Sequence, residues 1–252
     1  MVGAMSSENS SRPDLRRYRR QIILPGWGVE AQQKLSRSTV FVAGAGGLGS
    51  PVAVNLTVAG VGRIRICDSD TVEITNLNRQ FLHTEQRIDS SKTLSAQATL
   101  SAINSEISLE PITQKITDHN VDDIVGDAQL IIDCLDNFDG RNALNQCSVR
   151  KGIPMIHGAI WGMEGRITFL HPPKTPCLAC LFPKAPVRQE IPVLGAVACA
   201  TGSLQAIEAI KYLVNSGPTL KGRMLIMDYS TMRFQELEAG KNPHCPVCAS
   251  AG

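Results

Sequence analysis

The sequence predicts an α/β domain with a parallel sheet, and three observations carry that prediction. Short β-branched runs alternate with stretches compatible with helix, the first run meets a glycine cluster that opens the next helix, and the alternation holds from residue 35 to about 158 before it changes. A chain of 252 residues, 43% of them hydrophobic, has enough apolar side chains for a full core, which excludes a wholly disordered protein. Lys and Arg number 25 against 23 Asp and Glu, so the net charge of +2 creates no long-range field that would select nucleic acid or an acidic membrane. No apolar run approaches the roughly 20 residues that cross a bilayer. The polar start, Met1 to Arg12, lacks the apolar stretch of a secretory signal, so the expected location is cytoplasmic.

The elements follow in order. Residues 1–13, rich in Ser, are expected to be a disordered tail, and 14–252 a single domain. Leu15-Arg-Arg-Tyr-Arg-Arg-Gln-Ile-Ile-Leu24 concentrates four arginines and on composition reads as a solvated basic helix face. Thr39–Ala43 reads as a strand, Val52–Ala59 as a helix, and Arg63–Cys67 as a strand that stops at Asp68, which makes a βαβ unit. Residues 92–104 are expected to be helical, Ser108–Thr113 extended, Ala128–Asp133 a buried strand, Asp139–Lys151 a helix and Pro154–His157 a strand. Beyond them Arg166–Leu170 is extended. The Pro-rich stretch Pro172 to Pro192 is read as a crossover loop, not a domain boundary, because two C-x-x-C pairs bracket it and the elements after it. Leu204, Ile207, Ile210 and Leu213 then recur at intervals of three and are expected to form the apolar stripe of a long helix. Gly222–Asp228 and Arg233–Leu237 read as closing strands.

Gly44-Ala-Gly-Gly-Leu-Gly49 satisfies G-x-G-x-x-G between a strand and a helix, a turn that lets phosphate approach backbone N–H groups where the helix dipole favours anions. Asp68, 19 residues beyond Gly49 at the next strand end, suits ribose hydroxyls. A nucleotide follows, with NAD and ATP still unseparated. The sequence has no G-x-x-x-x-G-K-[ST], so ATP chemistry needs cations from elsewhere: Arg79, Lys92 or the N-terminal arginines, each of which taken singly also reads as a surface charge. Asp136, at the carboxyl end of a strand, suits Mg2+ held against phosphate oxygens, with a helix N-cap as the competing reading for it or Asp139. Cys177, Cys180, Cys245 and Cys248 form two C-x-x-C pairs, a structural Zn2+ signal. The rival, a redox dithiol, is weakened because neither pair opens a helix after a strand. Cys67, Cys134, Cys147 and Cys199 read as buried core, and His157 as a hydrogen-bonded core residue without a catalytic role.

Arg17-Tyr-Arg-Arg20-Gln-Ile-Ile-Leu24, Gly44–Gly49, Asp68-Ser-Asp-Thr-Val72, Asn76-Leu-Asn-Arg79-Gln80, Lys92, Asp133-Cys-Leu-Asp136-Asn137, the stretch Gly202 to Lys211 and the two C-x-x-C pairs occur in order. From Leu15 to Cys248 the chain resembles the ThiF/MoeB/HesA family of E1-like adenylyltransferases. The resemblance implies a Rossmann-like parallel half continued by an antiparallel half with a zinc-stapled crossover loop. It implies ATP-dependent adenylation of the C-terminal glycine of a small ubiquitin-like sulfur carrier ending in Gly-Gly, in thiamine, molybdopterin or related sulfur transfer. A sulfur-donor protein is a further partner it admits. Carried over by motif, Gly44, Gly46, Gly47, Gly49, Asn76, Arg79, Gln80 and Lys92 surround the nucleotide, with Gly47 in contact and Asp68 on the ribose. Asp136 binds Mg2+, and Arg20 is supplied across a homodimer interface. Some relatives use a crossover-loop cysteine to take the acyl group; residues 181–198 contain none, which favours an adenylate-only enzyme, and Cys199 is the nearest substitute. Two alternatives stand beside this reading: an E1-like tRNA-modifying dehydratase and, from another class, a NAD-binding dehydrogenase or redox regulator.

Overall fold

The computed structural model describes residues 14–184 and 192–249; the expected tail at 1–13 and part of the cysteine-free crossover stretch, 185–191, lie outside the described residues. Among the described residues eight strands form one sheet: β1 (Thr39–Ala43), β2 (Arg63–Cys67), β3 (Ser108–Ile112), β4 (Leu130–Asp133), β5 (Met155–Trp161), β6 (Glu164–Leu170), β7 (Arg223–Asp228) and β8 (Arg233–Glu238). Their spatial order is β3-β2-β1-β4-β5-β6-β7-β8. The first five in that order pair in parallel and the last three join antiparallel, as the resemblance implied. Chain order reverses between β1 and β4, and ligands of open α/β sheets bind at the carboxyl ends of strands flanking such a reversal.

The helices are α1 (Arg19–Ile22), α2 (Gly28–Ser36), α3 (Gly49–Ala59), α4 (Lys92–Ile103), α5 (Val121–Val125), α6 (Phe138–Lys151), α7 (Leu178–Leu181) and α8 (Gly195–Val214). Both faces of the parallel half are covered, so β1 has apolar residues on both sides. Val40 and Val42 join the cluster with α2, α3 and α8, while Phe41 and Ala43 join the one with α5 and α6. Among the described residues no helix is long and apolar enough to cross a membrane.

Two expectations need correction. β5 continues past His157 to Trp161 and is the strand on which the sheet turns from parallel to antiparallel pairing. The stripe on α8 holds only in part: Leu204, Ile210 and Leu213 pack partly buried against the core, but each three-residue step turns a helix by about 300° and fans four positions across about half its circumference. Ile207 is 51% exposed, and the buried face runs instead through Ala198, Gly202, Gln205 and Ala209. Small residues there let α8 lie close on α3: a Cβ on Gly202 would stand 2.5 Å from both Leu48 O and Pro51 Cγ.

At the other end of α3, Gly60 caps the helix in the left-handed region and the ring of Tyr18 fills the space a side chain would take. The Tyr18 hydroxyl accepts from Asn104 Nδ2 at 2.9 Å. These contacts seat α1 at the amino-terminal edge of the sheet.

Candidate functional site

β1 delivers the chain into the glycine loop at the carboxyl edge. Gly44 has φ +98, and a Cβ there would meet Cys134 O at 2.9 Å; a Cβ on Gly49 would meet Gly44 O at 1.9 Å. The loop is therefore folded onto its own backbone at the start of α3, where the first N–H groups of a helix have no intrahelical partners. Gly49→Ala is expected to cost about 1–3 kcal/mol by forcing these segments apart, read as a lowered thermal midpoint and lost nucleotide binding.

Ala45, inside the loop, is held on both sides. Its N–H donates to Asp68 Oδ2 at 2.8 Å, and its carbonyl accepts from His83 Nε2 at 2.9 Å. A carbonyl only accepts, so Nε2 carries the proton and Nδ1 accepts from the Ser95 hydroxyl 3.0 Å away. Burial lowers the His83 pKa and keeps this neutral form. Asp68 also accepts from Asp70 N at 2.9 Å; burial raises its carboxyl, and the nearby Lys92 opposes that rise.

Lys92 begins α4, where the helix dipole disfavours a cation, and its side chain is only 8% exposed. Nζ donates to Asp70 Oδ2 at 2.9 Å, so in this structure a carboxylate occupies the ammonium. Arg79 lays its stem beside Gly47, 3.6 Å from where a Cβ would stand, and donates to Thr75 O and Asn78 Oδ1 at 2.9 Å. Asn76 shapes the turn before it, its Oδ1 accepting from Glu73 N at 3.1 Å. Gln80 is buried next to Gly46, and its Oε1 has no hydrogen-bond partner, which leaves a polar atom in need of one at the floor of the cradle. The chain returning from the crossover docks here too: a Cβ on Gly195 would meet Asn78 O at 2.3 Å.

Asp136 lies beyond β4, exposed, with Asn137 Nδ2 at 3.4 Å. The N-cap reading fails for Asp136 and for Asp139, because Asn137 is the cap and its Oδ1 accepts from Gly140 N at 2.9 Å. Beneath Asp136 is a buried cluster. Asp133 Oδ2 accepts from His157 Nδ1 at 2.6 Å and lies 3.5 Å from Arg141 Nε. Burial pushes the Asp133 carboxyl up, but Arg141 and His157 prevail and hold it below its usual range. His157 is the buried, hydrogen-bonded residue expected. Arg141, Gln205 and His83 were not singled out from sequence. Gln205 donates to Asp133 O at 2.9 Å from α8.

Arg20 is not brought to this cluster. It lies exposed on α1 at the amino edge. The 11 residues of α3, about 16 Å at 1.5 Å each, separate Gly49 from the Gly60 corner on which Tyr18 packs.

All eight cysteines are free. The sulfurs of Cys177, Cys180, Cys245 and Cys248 lie within 4.8 Å of one another, an arrangement that can hold a metal ion. Asn145 donates to Cys177 Sγ at 3.7 Å and accepts from Leu178 N at 2.8 Å, orienting the first pair. Cys67, Cys134 and Cys147 are buried as expected; burial pushes the Cys67 and Cys147 thiols up to about 12. Cys199 departs from expectation in being only partly buried, on the second turn of α8.

A glycine cradle at a sheet reversal, an acid at the neighbouring strand end and cations brought from outside the cradle define an α/β nucleotide-site protein. The ThiF family matches residues 18–247, and the chain belongs to that family. It is 39% identical over 249 residues to the sulfur carrier protein adenylyltransferase of Thermus thermophilus, covering 94% of this chain and 92% of the relative. It is 40% identical over 244 residues to the SAMP-activating enzyme E1 of Haloferax volcanii, covering 94% and 90%. Among solved structures, E. coli MccB with ATP superposes with a TM-score of 0.83 at 27% identity, over 93% of this chain and 74% of that one. These relatives are named as adenylyltransferases and activating enzymes of sulfur carriers, and this chain is an enzyme of that family.

Proposed function

We propose that the protein adenylates the C-terminal glycine carboxylate of a small ubiquitin-like sulfur carrier ending in Gly-Gly, using ATP and Mg2+ as a homodimer in the cytoplasm. One observation carries the reading: Arg79 against Gly47 and Lys92 against the Asp68 strand end put two cations from outside the glycine loop beside it. The dinucleotide reading, which rests on Gly44–Gly49 and Asp68, leaves both unaccounted for. Residues 14–252 act as one domain in this reading, with thiamine, molybdopterin or a related sulfur transfer as the setting.

The ATP fit rests on the cradle that a Cβ would fill and on the orphaned Gln80 oxygen. Gly44, Gly46, Gly47 and Gly49 keep the backbone bare for phosphate, Asp68 meets ribose hydroxyls, and Asn76 and Gln80 line the turn. Asp136 suits Mg2+, which takes one or two carboxylates and completes its shell with phosphate oxygens and water. When bound, the ion supplies neutralisation of phosphate charge. A carboxylate attacking phosphate brings two anions together, so stabilisation by fixed cations is what the protein must provide. An oxygen of the carrier's carboxylate bonds to the α-phosphorus, the bond from that phosphorus to the bridging oxygen breaks, and pyrophosphate leaves with the electron pair. No general base is required, since an α-carboxyl of pKa about 3.5 is already ionised. Lys92 leaves Asp70 for phosphate in this scheme, and Arg79 turns its guanidinium from Thr75 O.

For the thiolate cluster, Zn2+ at about 2.3 Å from each sulfur sets tetrahedral edges of about 3.8 Å. The pairs Cys177–Cys180, Cys177–Cys245 and Cys180–Cys248 stand at 3.9, 3.6 and 3.4 Å, which fits a closed structural site.

Incubation with ATP, Mg2+ and such a carrier is expected to yield carrier bearing one AMP by mass spectrometry, and none on a carrier lacking its last glycine. Arg20, separated from its own chain's site by the length of α3, acts in the partner's site. Arg20→Ala mixed with Asp136→Ala is therefore expected to regain activity through heterodimers, toward about a quarter of wild type if exchange is random and one composite site is intact. Mixtures no more active than either parent would place Arg20 in cis.

A further inference from the structure

A buried ion pair is no more stabilising than a well-packed apolar core, so the use of the Asp133, His157 and Arg141 cluster is decided by what it touches. It touches the backbone that carries Asp136. Leu135 N donates to Asp133 Oδ1 at 3.0 Å, and Leu135 O accepts from Arg141 Nη2 at 2.5 Å. That carbonyl belongs to the peptide whose nitrogen is Asp136's own. The same Nη2 donates to Gly158 O at 3.0 Å and ties this turn to β5. On the other side Asn137 is fixed as the cap of α6. Asp136 thus stands between two anchored residues while its carboxylate stays exposed.

The cluster is closed around Arg141 as well. The guanidinium lies 5.3 Å from the centre of the Phe138 ring, and a Cβ on Gly140 would stand 2.7 Å from Leu135 Cδ1, so α6 begins pressed against the turn. His157, donating to the second Asp133 oxygen, holds that carboxylate in the orientation in which its first oxygen faces Leu135 N.

We propose that Arg141, oriented by Asp133 and His157, is a positioning residue that fixes the Leu135 peptide and so aims the Asp136 carboxylate at a divalent cation. The proposal rests on the reading of Asp136 as a metal-binding residue. Nη2 makes both carbonyl bonds while Nε, without a hydrogen-bond partner, faces the Asp133 carboxylate at 3.5 Å, and the single ammonium of a lysine lacks the planar, delocalised group that presents both edges at once.

The test is calorimetric binding of the non-hydrolysable α,β-methylene analogue of ATP to the full chain at a series of Mg2+ concentrations, with thermal melts to confirm folding. Arg141→Lys is expected to weaken the apparent Mg2+ affinity by about 10-fold or more, as loss of outer-shell support does at metal sites, with Mg2+-free analogue binding unchanged. His157→Leu is expected to weaken it too, and His157→Asn, which keeps a donor for Asp133, to restore it. A folded Arg141→Lys with wild-type Mg2+ affinity overturns the proposal. If Arg141→Lys does not fold, the His157 pair decides, and equal Mg2+ affinity in His157→Leu and His157→Asn overturns it. Wild-type binding indifferent to Mg2+, or Asp136→Ala retaining the Mg2+ dependence, instead removes the metal role of Asp136 itself.

Discussion

Asp136→Ala is expected to lower adenylate formation by at least about 10²-fold, the scale on which loss of one electrostatic group at a reacting centre is felt. The same change should leave stability within about 0.5 kcal/mol, because exposed side chains without structural contacts contribute little. The separation of the two effects is what makes the variant informative. Asp136 is exposed and caps no helix, whereas Asp133 three residues earlier is fully buried and bound to His157. Asp133→Ala would confound activity with folding. Adenylate formation is checked by single-turnover assay with carrier and folding by thermal melt; full activity in a folded Asp136→Ala would remove this residue from the site.

The second large effect is on stability. Cys245→Ser is expected to reduce bound zinc from one per chain toward zero, since serine offers no thiolate to a closed four-sulfur site. Among the described residues those after β8 form no helix or strand, and their apolar support is the small cluster of the cysteines with Val149 and Val247. Without the ion, that segment and α7 lose the link between them. A loss of at least about 2 kcal/mol corresponds to about 4–8 °C in thermal midpoint for a chain of this size. Zinc content by atomic absorption and a melt of the same sample check it. Unchanged stability with full loss of zinc would show that the ion does not staple the fold.

Much of the fold was legible because its signals are local. The run Thr39–Ala43, the glycines that follow it and Asp68 after Arg63–Cys67 are each read within a few residues, and each stands where the pattern put it. The α8 stripe was legible only in part, Leu204, Ile210 and Leu213 packing on the core, for a physical reason: a helix packed tightly on another buries Gly202 and Ala209, which a search for large apolar residues overlooks. Within the candidate site the residues carried by motifs could be named, but their supports could not. His83 meets Ala45 across 38 residues, and His157 meets Asp133 across 24, so neither bond leaves a spacing to recognise. Arg141 gave one weak signal, a cation near the amino-terminal end of a helix, where the dipole disfavours it. Lys92, the first residue of α4, stands closer still to a helix start, and the absence of a P-loop lysine had already made it a candidate cation. The near-zero net charge concealed both, because a mean over the chain says nothing of which cations are buried.

The proposed reaction transfers AMP from ATP to a carrier's terminal carboxylate and releases pyrophosphate. Adenylation is reversible, so labelled pyrophosphate should enter ATP when protein, saturating Mg2+ and a carrier ending in Gly-Gly are all present. Exchange is expected to require the carrier and to disappear when its last glycine is removed. No exchange with any such carrier, together with tight NADH binding and none of ATP, would contradict it.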